Sequence, residues 1–178
     1  PLKKLIAEAV ETAGEIVEVG KQALIAKHSL VESLPLETNY MGTVNDGALD
    51  LYQGELRLQM ADGTQFDFSE DDWSKHLVEH TDPTSYAKHV RCQRNGGEPV
   101  SYRVGPLARL NLNVDRLPAS SLALLEQSNI AFPSSNMFYS LFARALEIHI
   151  AIVEAIRLLE DYRLPSSPHL EVTPKAGI

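Results

Sequence analysis

Cysteine is almost absent from this 178-residue chain, and that absence limits its chemistry. Cys92 is the only one, so the chain can form no internal disulfide and no metal site that needs several thiolates from one chain. Long apolar runs are missing too: none approaches the roughly 20 residues that span a bilayer, and the start lacks the apolar block of a signal peptide. The sequence therefore predicts a cytoplasmic location and no membrane partner.

Basic residues are scarce relative to acidic ones. Sixteen Lys and Arg stand against 24 Asp and Glu, for a net charge of -8, which repels phosphate backbones and argues against a nucleic-acid partner. A composition of 44% hydrophobic and 22% charged residues is that of an ordered globular protein. The length predicts a single domain over 1–178, with its core at about 2–162 and an extended or loose tail at 163–178.

Hydrophobic periodicity predicts an α+β fold that begins and ends with a long amphipathic helix. Residues 2–27 repeat apolar side chains at intervals of three and four. The last helix is predicted to start at Ser134 or Ser135 and to run to Tyr162 as the spine of the core. The predicted inward stripes are Leu5, Ala9, Ala13, Ile16, Gly20 and Ala23 on the first helix, and Phe138, Leu141, Ala145, Ile148, Ile152, Ile156 and Leu159 on the last.

Between these helices the apolar period changes to two, which predicts a small antiparallel β-meander packed with the amphipathic helices. The predicted strands lie near 48–53, 55–60 and 64–68, with hairpin turns at Gly54 and Gly63. Ser69, followed by three acidic residues, predicts a short helix that continues until Pro83. Residues 95–106 are predicted to be loop or extended chain, and helix is expected to resume near Pro118.

The short motif HLVEH is a candidate zinc hydrolase site. His76, Glu79 and His80 match the H-x-x-E-H pattern of inverted zinc proteases. Histidines four apart on a helix share a face and can bind one Zn²⁺, with Glu79 as the base that deprotonates the bound water. Glu147 or Glu154, far downstream, is a candidate third ligand. A solvated helix end with two surface histidines explains the same residues without a metal.

Two further candidates also have structural explanations. Cys92 and His89 resemble a thiol nucleophile and its base, with basic neighbours that would lower the thiol pKa if they lie close. A lone cysteine in a cytosolic chain is more often a small packing residue or an incidental exposed thiol. His149 lies beside the apolar stripe of the last helix, where we expect a buried histidine with one hydrogen-bonded partner rather than a ligand.

The segment YRVGPLARLN, residues 102–111, closely resembles a signature of nickel-iron hydrogenase large subunits. The similarity is greatest to the soluble cytoplasmic branch, which includes nicotinamide-linked and sulfur-reducing enzymes. Neighbouring segments follow the family's order: NYMGTVNDGALDLYQGELRL resembles its strand region, SYAK its tyrosine and lysine ahead of the signature, and FARALEIHIAIVEAIRLLED its long following helix. The resemblance covers residues 36–161.

The resemblance implies a parent subunit that splits H2 heterolytically at a nickel-iron centre, with a partner small subunit that carries iron-sulfur clusters. Four cysteine thiolates hold the centre in the family, one C-x-x-C pair near each end of the subunit, and neither pair is present here. We therefore expect the central scaffold part of a larger subunit, cut between its metal-binding ends, with no cofactor or catalysis of its own. A start at Pro1 without methionine fits this expectation. The alternative is a degenerate scaffold protein that kept the fold and lost the metal.

Within the signature, Gly105 permits backbone conformations closed to other residues, and Pro106 fixes the next dihedral angle. Together they are expected to aim Arg103 and Arg109, whose guanidinium groups can clamp carbonyls or carboxylates of neighbouring segments. We predict that these four residues and Asn111 are structural rather than catalytic. A tight turn that serves this domain alone is the simpler interpretation. Separation from a parent subunit would expose apolar surface, which predicts self-association into a homo-oligomer.

Overall fold

The computed structural model of the chain describes residues 2–26, 36–47, 49–169 and 171–174. These ranges contain five α-helices and five β-strands, and the strands form one three-stranded and one two-stranded antiparallel sheet. The predicted α+β class is confirmed. The helices are α1 Leu2–Ile25, α2 Trp73–His76, α3 Pro106–Asn113, α4 Ala119–Ser128 and α5 Tyr139–Asp161, and the strands are β1 Tyr40–Val44, β2 Glu55–Gln59, β3 Gln65–Phe68, β4 Leu77–Thr81 and β5 Lys88–Cys92.

The two long helices, α1 and α5, pack against each other and form the helical half of the core. A Cβ atom at Gly20 would lie 3.5 Å from the Cβ atom of Ala145, so the helices are in close contact there. The buried residues are Ala13, Val17, Gly20 and Leu24 of α1, and Phe142, Ala143, Ala145, Leu146, His149 and Ile150 of α5.

The predicted inward stripes are therefore only partly correct. Leu5, Ile16, Leu141 and Ile148 were expected inside but are exposed. Both helices carry apolar residues on more than one face, and periodicity alone does not say which face is covered. The predicted start of α5 at Ser134 or Ser135 is also wrong, because turns that include a hydrogen bond from the Asn136 amide to Ser134 Oγ precede the helix.

The three-stranded sheet has the order β1-β2-β3, and its second hairpin is the predicted one. Gly63, at a φ of +85°, lies in the turn between β2 and β3. The predicted strand near 48–53 is wrong for residues 49–53. Residues 51–53 form bends instead, and the Asp50 carboxylate accepts from the Tyr52 and Gln53 amides. The first strand of the meander is instead β1, and Met41 of β1 pairs with Leu58 of β2.

The helix predicted from Ser69 to Pro83 ends after one turn. Ser69 caps a 3-10 turn at Glu70–Asp72, as its position suggested, and α2 then stops at His76. The chain continues as β4, which pairs with β5 and brings Leu77 opposite Cys92. Cys92 joins the buried cluster of the main sheet, so burial in the sheet core outweighs the weak helical signal of this segment.

Helix resumes at Pro106, earlier than the predicted Pro118, because Gly105 precedes α3 with a φ of +100° and Pro106 is its first residue. The helix expected after Pro118 is α4. Residues 162–169 and 171–174 contain no helix or strand, and their side chains are exposed. The extended or loose tail over 163–178 stays a prediction. None of the helices in the described ranges is long and apolar enough to cross a bilayer.

Candidate functional site

The signature segment, residues 102–111, begins as an extended chain along the edge of the main sheet. Arg103 and Tyr40 form a parallel bridge: the Met41 amide donates to the Arg103 carbonyl at 2.9 Å, and the Arg103 amide donates to the Asn39 carbonyl at 2.8 Å. The Asn39 side-chain amide donates to the Ser101 carbonyl at 2.8 Å. Hydrogen bonds with β1 and with Asn39, the residue before it, thus hold the start of the signature in place.

Gly105 and Pro106 then turn the chain into α3, which packs directly on β1. The Gly105 φ of +100° is one that side-chain-bearing residues rarely adopt, and Pro106 supplies the φ of a first helical residue. At the contact with β1, a Cβ atom on Gly42 would lie 3.1 Å from Leu112 Cδ1. The glycine of β1 therefore allows the close approach that buries this short helix.

Arg109 joins α3 to α5 through a two-point ion pair. Its Nε donates to Glu147 Oε1 at 2.6 Å and its NH2 group donates to Glu147 Oε2 at 2.9 Å. The Glu147 side chain is only 18% exposed, and its hydrogen bonds raise the pKa of the Arg109 guanidinium above the ordinary value. This planar, bidentate geometry is one that arginine forms and lysine does not.

Asn111 binds the loop that precedes α5. Its Nδ2 donates to the Ser134 carbonyl at 2.8 Å, and its Oδ1 accepts from the Ser134 amide at 2.9 Å. The Tyr40 hydroxyl donates to the same carbonyl at 3.1 Å, and burial raises the pKa of Tyr40. Asn113 adds a bond from its Nδ2 to the Thr43 carbonyl at 3.1 Å. The short helix is therefore tied to the sheet, the loop and α5.

Arg103 differs from Arg109 in using its backbone rather than its side chain. The residue is half-buried, and its guanidinium group makes no hydrogen bond or ion pair within the described part of the chain. Its positive charge opposes the rise in the Tyr40 pKa that burial causes. A role for the Arg103 side chain in holding another segment stays a prediction.

HLVEH does not form the predicted zinc site, because its residues do not lie on one helix. His76 ends α2 and packs against both Phe66 and Phe68, with ring centroids 5.1 and 4.7 Å away. Glu79 and His80 are consecutive residues of β4, so they point to opposite faces of the strand. Glu79 forms an ion pair with Lys88 of β5, across the two-stranded sheet.

The two carboxylates that were candidates for the third zinc ligand already form ion pairs with arginines. Glu147 binds Arg109, and Glu154 forms a bidentate pair with Arg157 at 2.6 and 2.8 Å. Within the described ranges, no group of three His, Cys, Asp or Glu side chains is arranged to hold a metal ion.

Cys92 is a packing residue, and its environment opposes a catalytic role. It is 0% exposed, and burial raises the pKa of its thiol. His89 lies three residues away on the same strand, hence on the opposite face. His149 matches its prediction: it is buried, its Nδ1 lies 3.0 Å from Ser121 Oγ, and desolvation lowers its pKa.

The residues present do not fit a nickel-iron centre of the kind that the family resemblance implies. Such a centre needs four thiolates, and the whole sequence has one cysteine, enclosed in the sheet core. Burial raises the pKa of the Cys92 thiol, which disfavours the thiolate form that binds metals. This chain by itself cannot build the centre.

The architecture and signature of the chain match those of hydrogenases. No family model matches it. A crystal structure of an NAD+-reducing nickel-iron hydrogenase in the H2-reduced state is similar, with a TM-score of 0.62 and 29% identity over 85% of this chain and 37% of that chain. Together with the relatives that follow, this similarity shows that the chain is homologous to part of the large subunits of nickel-iron hydrogenases, as the signature predicted.

Among its relatives are subunits of F420-non-reducing hydrogenases from methanogens. The vhu hydrogenase subunit of Methanocaldococcus jannaschii is 31% identical in an alignment that covers 96% of this chain and 42% of the relative. The vhc hydrogenase subunit of Methanococcus voltae is 29% identical over 93% of this chain and 36% of the relative. The corresponding protein of Methanothermobacter thermautotrophicus is 30% identical over 78% and 30%. The chain thus spans less than half the length of these relatives.

Several partners of the signature were not identified from the sequence. They are Tyr40, Gly42, Asn113, Ser134 and Glu147. Tyr40 and Gly42 belong to the stretch NYMGTV, which the resemblance included only as strand. Glu147 carried one usable signal: it is a lone carboxylate among apolar residues on a helix, and such a group needs a cationic partner when it is partly buried.

Proposed function

We propose that this chain acts as the scaffold portion of a nickel-iron hydrogenase large subunit, or of a protein like one. In this role it holds the fold around the signature helix α3, while the metal ligands come from other parts of the assembly. One observation carries the proposal: the polar side chains of α3 bind the chain itself. Arg109 binds Glu147, and Asn111 binds Ser134.

Those contacts support a structural role for the signature. Arg109 uses its Nε and one terminal nitrogen to bind Glu147, and both polar atoms of the Asn111 amide are bonded to Ser134. Groups that are already bonded in this way fix the relative positions of sheet, loop and long helix, which is what a scaffold for neighbouring segments requires. Substrate chemistry is not expected from them.

The proposed parent splits H2 heterolytically at its metal centre and works with a small subunit that carries iron-sulfur clusters, in the cytoplasm. We further propose that residues 1–178 fold as a single domain within it, with the core at about 2–162. The similarity to F420-non-reducing hydrogenase subunits supports this context. A natural scaffold protein that lost the metal is the second form of the same proposal, and the coding sequence on either side distinguishes the two through the presence or absence of C-x-x-C codons.

The first test measures nickel, iron and zinc in the purified, chelator-washed chain by mass spectrometry, together with H2-dependent reduction of a dye. We expect far less than one metal ion per chain and no dye reduction, because Cys92 is buried and alone. Stoichiometric nickel and iron with activity would refute the scaffold role. One zinc per chain, lost in His76→Ala, would instead restore the hydrolase hypothesis.

The second test asks for the partner. The hydrogenase small subunit of the same organism, carrying an affinity tag, is co-expressed with this chain and with the remaining segments of the large subunit, if these are encoded separately. We expect co-purification of the chain in stoichiometric amount. A matched Arg109→Lys variant should assemble less, and a small subunit that assembles fully without the chain would contradict the proposal.

A further inference from the structure

Helix α1 carries a second apolar stripe that nothing in the described chain covers. Its residues recur at alternating intervals of three and four, and most of them are exposed: Leu5 by 62%, Ile16 by 39% and Val19 by 68%. The apolar members of the stripe are Leu2, Leu5, Ala9, Ile16, Val19 and Ala23, and Thr12 occupies the remaining position. At 100° per residue it lies roughly 90° around the helix from the buried side that contacts α5.

This spacing is that of a helix-helix seam. A strict seven-residue repeat, with positions alternately three and four apart, presents a continuous edge to a partner helix. From Leu2 to Ala23 the stripe runs for about three heptads, or roughly 32 Å of helix. The apolar edge is therefore long enough to seat an amphipathic helix along most of α1.

The charges beside the stripe select the kind of partner. Four glutamates, Glu8, Glu11, Glu15 and Glu18, run along its solvent side. Within α1, Glu8 pairs with Lys4 at 3.7 Å and Glu18 with Lys21 at 3.4 Å. Among the described residues Glu11 and Glu15 have no ion-pair partner, which leaves this flank with unpaired negative charge.

That negative flank disfavours two of the possible occupants. A second copy of α1 would bring like charges together beside the seam, and like charges at facing positions destabilise helix pairs. An anionic lipid surface would be repelled by the same glutamates. A helix with Lys or Arg beside its aliphatic stripe meets both the apolar edge and the free carboxylates.

We infer that α1 docks an amphipathic helix of a partner polypeptide, with aliphatic residues at heptad positions and basic residues beside them. The apolar seam supplies most of the contact, and Glu11 and Glu15 select the partner by charge. This inference goes beyond the scaffold role and does not depend on it, because it rests only on the exposed side of α1.

The test uses the full chain and two synthetic helical peptides with the same aliphatic heptads, one flanked by lysine and the other by glutamate. Binding is measured by fluorescence anisotropy at low and high salt. We expect the lysine peptide to bind at least about tenfold more tightly than the glutamate peptide at low salt, with the difference shrinking as salt screens the charges.

Three double variants sharpen the test, and all of their positions are exposed. In Glu11→Lys with Glu15→Lys, the preference between the two peptides should reverse. The matched control, Glu70→Lys with Glu98→Lys, changes the net charge equally but away from α1 and should keep the original preference. Leu5→Ser with Val19→Ser should lose at least about tenfold in binding of the lysine peptide. Circular dichroism checks that each variant is folded.

Several results would overturn the inference. The first is equal binding of both peptides, or binding of neither. The second is a stable dimer in light scattering that dissociates in the Leu5→Ser, Val19→Ser variant, which would make a second copy the occupant. The third is binding of the chain to anionic lipid vesicles that the same variant abolishes.

Discussion

Replacing Asn111 with leucine tests whether the signature is held by its own hydrogen bonds. The two side chains have the same branching and the same number of heavy atoms, but leucine can neither donate to the Ser134 carbonyl nor accept from the Ser134 amide. Asn111 is only 6% exposed, so water cannot readily replace the lost side-chain amide at its own position. The loop before α5 would lose its attachment to α3.

The magnitude follows from those two bonds. Each contributes about 1 kcal/mol net, and a buried group left without a partner costs about 1–3 kcal/mol. Ser134 is half-buried and its carbonyl keeps the bond from the Tyr40 hydroxyl, so the cost falls in the lower part of the range. We expect a loss of about 2 kcal/mol in the free energy of unfolding, or a Tm lower by roughly 4–8 °C.

The assay is urea unfolding followed by far-ultraviolet circular dichroism, with Tyr40→Phe and the double variant completing a cycle. Tyr40→Phe should cost about 1 kcal/mol, and because both side chains act on the Ser134 carbonyl, the two effects should not add. Gln53→Leu, an exposed amide without a side-chain hydrogen bond in the described chain, is the matched control. A loss below about 0.5 kcal/mol for Asn111→Leu, equal to the control, would refute the reasoning.

Three further predictions concern single groups. Arg109→Lys loses the bidentate contact with Glu147 and should lower the free energy of unfolding by about 1 kcal/mol in the same urea assay; an unchanged midpoint would argue against the clamp. Gly105→Ala forces a side chain into a φ of +100° and should cost about 1–3 kcal/mol, and an unaltered thermal midpoint would contradict this. Burial lowers the pKa of His149 in the folded chain, so the unfolded chain binds the proton more readily. The stability that depends on neutral His149 is therefore fully present above the ordinary pKa of 6.5. It is lost as the pH falls from there through the pKa of the folded state. Between neutral and mildly acidic pH, the free energy of unfolding should fall more steeply for the unaltered chain than for His149→Gln. An equal fall in both would rule out the effect.

Local patterns predicted the parts of the fold whose stability is local. The hairpin between β2 and β3 follows from alternating apolar residues and the Asp62-Gly63 turn, and both long helices follow from periodicity. The signature helix α3 was missed, because it is only eight residues long and begins directly after a glycine-proline pair, which is equally typical of a turn. The apolar pattern also missed strand β1, which only the family resemblance placed in a strand region. Gly42 interrupts its alternation, and the close contacts with Leu112 and Arg109 of α3 explain the glycine.

In the candidate site, too, some features could be predicted from the sequence and others could not. The type of each signature residue could be interpreted from sequence, because a glycine-proline pair and a planar guanidinium have the same chemistry in any fold. The partners could not, since Glu147 lies 38 residues from Arg109 and many other carboxylates were equally available. HLVEH failed for a related reason: its spacing binds zinc only on a helix, and pairing with β5 made most of it a strand.

Residue identity alone was enough for three conclusions: one cysteine cannot build a four-thiolate centre, the net charge is acidic, and the signature is that of a hydrogenase large subunit. Three others required the folded chain, namely which apolar face of α1 is buried, which carboxylate holds Arg109, and that the Cys92 thiol is enclosed. Burial and pairing are set by segments distant in sequence, so no local pattern contains them.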